Sequence, residues 1–325
     1  MKTTTQQPPA QQVFISRPQR IPLYPNEPTT LVEMFEHTAR EHPKPDTLNY
    51  KRDGAWHALS SAEMLERARG IALGLYSLGI RQNDRVALLS DNCVEWTLSD
   101  AGCQFAGVID VPIYSTLTPA QVIYILKDSG ARALFIQTRE KFEQLKSVLS
   151  DCPQLEHVIF FNERGVEETN GITLAQLEER GRAFKAEQPQ LGEELARAVK
   201  PEDIATIIYT SGTTGEPKGV MLTHSNLVSN LIDSSGHLAF DESDVALSVL
   251  PLSHVLERLG MYMYIYHGMK IYYAESLDRL GDNLREVRPT LMIGVPRLFE
   301  KIYARIKDRA AAEGKAKAAI LKWAV

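Results

Sequence analysis

Ile204-Ala205-Thr206-Ile207-Ile208-Tyr209-Thr210-Ser211-Gly212-Thr213-Thr214-Gly215-Glu216-Pro217-Lys218-Gly219-Val220-Met221-Leu222 is an apolar run that breaks into hydroxyls and glycines and then turns apolar again. Its first six residues, mostly β-branched or aromatic, read as a buried strand. After them no bulky side chain occurs until Glu216. Gly212, Gly215 and Gly219 tolerate positive φ and leave amide N–H groups open to an anion. Thr210, Ser211, Thr213 and Thr214 add hydroxyl donors, and Lys218 adds a positive charge on a long stem. Such a loop suits a polyphosphate.

Two other phosphate loops are excluded by counting. A Walker loop needs glycine at the fifth position after its first glycine, and those positions hold Pro217 and Val220. A dinucleotide fingerprint needs glycine at the second, where Thr214 follows Gly212. The plain alternative is a surface hairpin of Ser, Thr and Gly between two strands. The order Tyr209-Thr210-Ser211-Gly212-Thr213-Thr214-Gly215 with Pro217-Lys218-Gly219-Val220 argues against a generic hairpin. It resembles the phosphate-loop signature of the adenylate-forming superfamily, which includes acyl-CoA synthetases, luciferases and peptide-synthetase adenylation domains.

Upstream, the pattern predicts a helix from Thr29 or Thr30 ended by Pro43, a hairpin over Leu48–Leu59 turned at Asp53-Gly54, and a helix capped by Ser60 and Glu63. His37, His42 and His57 in this part read as surface residues. From Arg85 the period changes. Short apolar runs at Arg85–Leu89, Val108–Ile113, Ala133–Ile136 and His157–Phe161 alternate with helical patterns, one of them punctuated by Thr118, Pro119 and Gly130. That alternation predicts an α/β fold with a doubly wound parallel sheet covered on both faces. The phosphate loop then follows a strand at its carboxyl end, where open α/β sheets place ligands. The charged stretch 162–200 reads as a helical excursion without chemistry.

Beyond the loop, Ser225 reads as the cap of a helix through Ile232, and Asp244–Leu250 as a buried strand. Leu250-Pro251-Leu252-Ser253-His254-Val255-Leu256-Glu257-Arg258 places a histidine at a strand-to-helix junction. Tyr262, Tyr264, Tyr266, Tyr272 and Tyr273 with Met261, Met263 and Met269 read as a core helix followed by a strand. Thr290–Pro296 reads as a strand and Arg297–Tyr303 as the opening of a last helix, packed through Leu298, Phe299, Ile302 and Ile306.

The segment around His254 is similar to a second signature of the same superfamily. Val295-Pro296-Arg297-Leu298 with Glu300-Lys301 resembles the long-chain and very-long-chain fatty acyl-CoA synthetase branch. The resemblance implies the fold of the acyl-CoA synthetase large N-terminal domain. It further implies ATP-dependent joining of a fatty acid to coenzyme A through an acyl-adenylate. In that reading Thr210, Ser211, Gly212, Thr213, Thr214, Gly215 and Lys218 hold ATP phosphates, His254 lies at the acyl carboxylate, and Mg²⁺ neutralises pyrophosphate. The metal ligands are not identified. Family members continue with Gly-x-Thr-Glu and Thr-Gly-Asp segments and a mobile domain, none of which the sequence contains. The expectation is therefore a truncated large domain over 29–325, with a flexible arm over 1–28. One subdomain would comprise 29–80 and 225–325, and the other 81–224. A non-catalytic nucleotide-binding remnant, or an enzyme for aryl or other acids, stays open beside the ligase.

Composition sets outer limits. The 325 residues, 44% apolar, are enough for one large domain or two ordinary ones. A net charge of −5 argues against a nucleic-acid binder. Residues 297–325 nevertheless carry eight basic against three acidic residues, a local +5 that suits peripheral contact with an anionic membrane. Cys93, Cys103 and Cys152 have no Cys-x-x-Cys spacing and read as reduced thiols of a cytoplasmic protein.

Overall fold

The computed structural model describes residues 26–161, 166, 169, 171–210, 216–312 and 314. Most of the expected flexible arm, residues 1–25, lies outside the described residues. The elements are α1 (Leu31–Glu41), β1 (Leu48–Arg52), β2 (Ala55–Leu59), α2 (Ser61–Ser77), β3 (Arg85–Leu89), α3 (Val94–Phe105), β4 (Ile109–Ile113), α4 (Pro119–Ser129), β5 (Ala133–Ile136), α5 (Arg139–Leu149) and β6 (His157–Phe160). They continue with β7 (Ile172–Thr173), α6 (Leu174–Glu187), α7 (Leu191–Ala198), β8 (Ile204–Thr210), β9 (Lys218–Thr223), α8 (His224–Ser235), β10 (Val245–Ser248), α9 (Val255–Tyr266), β11 (Lys270–Tyr273), α10 (Leu280–Val287) and α11 (Pro296–Ala312).

Local chemistry places most of the ends. Thr30 with Glu33, Ser60 with Glu63 and Thr118 with Gln121 each form a reciprocal capping box, and Gly130 closes α4 at φ 65°. Asp53 and Gly54, both at positive φ, make the tight turn between β1 and β2.

The larger sheet has the order β7-β6-β5-β3-β4-β8-β9, parallel throughout except that β9 runs antiparallel to β8. From β3 the chain adds β4 on one side and β5, β6 and β7 on the other, so the sheet is doubly wound. Burial follows from this. On β3, Val86 and Leu88 enter one apolar cluster with α2 and α3, while Ala87 and Leu89 enter a second with α4 and α5. The smaller sheet, β10-β11-β1-β2, is parallel from β10 to β1, with β2 antiparallel at its edge. α3, α8 and α9 pack in the same apolar cluster as β1 and β11, so one core runs through both sheets.

Helices α2 and α6 touch at backbone distance. A Cβ on Gly181 would overlap the Gly70 carbonyl oxygen, and one on Gly74 would overlap the Leu177 carbonyl. Gly181→Ala is expected to cost about 1–3 kcal/mol through overpacking. The check is a urea titration, in which the midpoint falls at unchanged slope. An unchanged midpoint would mean that the two helices separate freely.

Four expectations need correction. The cap of α8 is Thr223, paired reciprocally with Asn226, so the helix begins at His224, before Ser225. Thr290–Pro296 is not a strand: Leu291 makes an isolated parallel bridge with Ala246, and Pro296 then opens α11. On α11 Leu298 is buried, but Phe299 and Ile306 are about half exposed, so the helix packs by a narrower face than its pattern implied. His37 and His42 are half-buried, with His37 stacked on Tyr266.

Candidate nucleotide site

The glycine-rich stretch joins β8 to β9, so it is carried by an antiparallel hairpin in which Thr210 stands opposite Lys218. Ser211, Gly212, Thr213, Thr214 and Gly215 lie outside the described residues. Both legs of the hairpin are tied to α4. The Tyr209 hydroxyl donates to Asp128 at 2.6 Å, and the Tyr124 hydroxyl donates to the Pro217 carbonyl at 3.1 Å. Burial, then Asp128, pushes the Tyr209 phenol up from its ordinary value, so it stays a neutral donor. Gly219 faces Tyr209, and a Cβ there would press within 2.7 Å of Ile207 and 3.2 Å of the Tyr209 ring. Lys218 is exposed.

Register brings the second motif to the same edge. Asp110 on β4 pairs with Thr206 on the parallel β8, and Tyr114 follows directly on the carboxyl end of β4 as Thr210 ends β8. The Tyr114 ring meets the His254 ring edge-on at 6.4 Å. His254 caps α9, its Nδ1 accepting from the Leu256 N–H at 3.1 Å. With Nδ1 occupied as an acceptor, the neutral ring carries its proton on Nε2, which becomes a donor. His254 is exposed. The loop before it is clamped from β3's end: the Asn92 amide donates to the Leu250 carbonyl and accepts from the Leu252 N–H at 2.8 Å.

Beneath the edge lies a buried ionic cluster. One turn into α9, Arg258 donates to Asp100 of α3 at 2.5 Å, Asp110 of β4 at 2.9 Å, Thr206 of β8 at 2.8 Å and Tyr262 at 2.7 Å. Burial raises the Asp110 carboxyl, against the pull of Arg258. Beside this cluster Glu257, also buried, accepts from the Ser248 hydroxyl at 2.7 Å, and burial pushes its carboxyl up to about 7. Asn92, Tyr114 and Arg258 had no role in the sequence reading. The one trace of the cluster was Asp110, a carboxylate inside an otherwise apolar strand. Among the described residues no group of three His, Cys, Asp or Glu could hold a metal ion.

These features define an α/β domain that presents a glycine-rich hairpin and a capping histidine at the carboxyl edge of one parallel sheet. The chain belongs to the AMP-binding enzyme family, whose match covers residues 35–323. It is 34% identical over 286 residues to the long-chain-fatty-acid–CoA ligase FadD15 of Mycobacterium bovis, covering 87% of this chain and 46% of that protein. It thus spans less than half the length of that curated relative. The inhibitor-bound N-terminal domain of FACL13 from Mycobacterium tuberculosis superposes with a TM-score of 0.68 at 25% identity, over 83% of this chain and 64% of that one. The anthranilate CoA ligase AuaEII, in complex with anthranoyl-AMP, superposes at 0.69 and 22% identity, over 86% and 51%, and shares the fold.

Proposed function

We propose that the chain supplies the nucleotide-binding part of an ATP-dependent long-chain fatty acid–CoA ligase. The observation that carries this reading is the convergence of two motifs far apart in sequence, the hairpin at Thr210–Lys218 and the helix cap at His254, on the edge set by β4 and β8. A carboxylate oxygen attacks the α-phosphorus of ATP, pyrophosphate leaves, and the coenzyme A thiol then displaces AMP from the acyl-adenylate. Both partners of the first step are anions, so cations and N–H donors must already be in place. In this reading Thr210, Lys218 and the stretch 211–215 hold phosphate oxygens, and the His254 Nε2–H faces the acyl carboxylate. Magnesium enters with the ATP phosphates and is assigned no protein ligand.

The fold does not choose the acid, since it also serves an anthranilate ligase. The long-chain reading rests on the FadD15 likeness and on the segment after Gly294. No helix among the described residues is long and apolar enough to cross a membrane.

Lys218→Ala tests the phosphate role. A charge-assisted hydrogen bond contributes roughly 1.5–3 kcal/mol, so ATP affinity measured by calorimetry is expected to fall at least about tenfold. The melting temperature stays put, because an exposed loop lysine contributes within about 0.5 kcal/mol. Unchanged ATP affinity would remove Lys218 from the site.

A further inference from the structure

Arg258 donates at once to three other elements, α3 through Asp100, β4 through Asp110 and β8 through Thr206, and it is buried. A buried ion pair gives little stability over an apolar core of the same volume, but its directional bonds select one arrangement. The arrangement selected here is specific. Thr206 lies four residues before Thr210 on the strand that feeds the glycine-rich loop, and the Arg258 N–H donates to the His254 carbonyl at 3.1 Å. An apolar contact at this place would let α9 slide or rotate on the sheet, whereas the guanidinium fork accepts one register.

We propose that Arg258 is a positioning residue, which through Thr206 fixes α9 and His254 at one register on β8, so that the loop and the histidine address the same substrate. The roles of the loop and the histidine rest on the function proposed above; the register does not. The other polar groups at this contact, Asp100, Asp110 and Tyr262, belong to the same network and hold the arginine from the sides of α3, β4 and α9.

The test is the distance between β9 and α9, read by pulsed electron resonance from spin labels at Val220→Cys and Val255→Cys, both exposed. Cys93→Ser removes the one native thiol that is not buried. A single narrow distance is expected for the parent and for Thr206→Ser, which keeps the hydroxyl. Thr206→Val, and Arg258→Lys where it folds, are expected to show a broadened or second population. A distribution unchanged in Thr206→Val overturns the proposal. Broadening in Thr206→Ser as well as Thr206→Val also overturns it, since lost packing would then be the cause. ATP affinity of Thr206→Val is expected to stay within twofold of the parent, and a loss in step with the broadening overturns positioning in favour of a damaged loop. A parent that binds no ATP sinks the function proposed above and leaves the distance measurement to decide this one.

Discussion

Arg258→Met is expected to destabilise the fold by about 3–5 kcal/mol, because removing one partner of a buried ion pair leaves its counter-charges unpaired. Here two carboxylates, Asp100 and Asp110, would face each other without their cation. The loss has a pH signature. Burial already raises Asp110, and without Arg258 it rises further. A carboxyl raised in the folded state contributes stability that is complete below its unfolded value and is lost as pH rises through its folded one. The deficit of Arg258→Met is therefore largest near pH 8 and shrinks as Asp110 protonates. Adding Asp100→Asn and Asp110→Asn is expected to recover most of it. Guanidinium titrations at pH 5 and pH 8 measure all of this, and a deficit below about 1 kcal/mol at pH 8 would show that the pair is solvated.

Glu257→Gln is expected to stabilise the protein at alkaline pH. Burial lifts Glu257 from 4.5 to about 7, so the folded state retains a proton that the unfolded chain has released. Stability is then complete below about pH 4.5, falls as pH rises to about 7, and stays reduced above it. At 1.36 kcal/mol per unit the loss above pH 7 is on the order of 3 kcal/mol. Glutamine keeps the shape and the acceptor for Ser248 and never ionises. Its advantage should appear in the melting temperature at pH 8 and vanish at pH 4. A gap independent of pH would place the effect in packing and not in charge.

The sequence alone determined what neighbours within a few residues can decide. Capping at Ser60 and Thr118, the turn at Asp53-Gly54, the end of α4 at Gly130 and the parallel alternation after Arg85 all stand in the structure. These depend on dihedral preference, a side chain reaching its own backbone, and periodicity, which are local properties. The order of glycines and hydroxyls from Tyr209 to Val220 likewise marked the family that the comparison found.

The tertiary structure decided the rest, because it depended on partners far off in the chain. Thr290 and Leu291 are held by Val245 and Ala246, and one bridge does not make a strand. Phe299 and Ile306 look like core residues by spacing, but each stays about half exposed. That β4, which leads into Tyr114, lies beside β8, which leads into the glycine-rich stretch, follows from a pairing of Asp110 with Thr206 that no local pattern encodes. Most of all, Asp100, Thr206 and Arg258 are unremarkable one by one in the sequence, and Asp110 shows only as a carboxylate in an apolar strand. They become a site-positioning cluster only because a buried charge is tolerable where others complete it, and folding brings the Arg258 guanidinium within 3 Å of the other three.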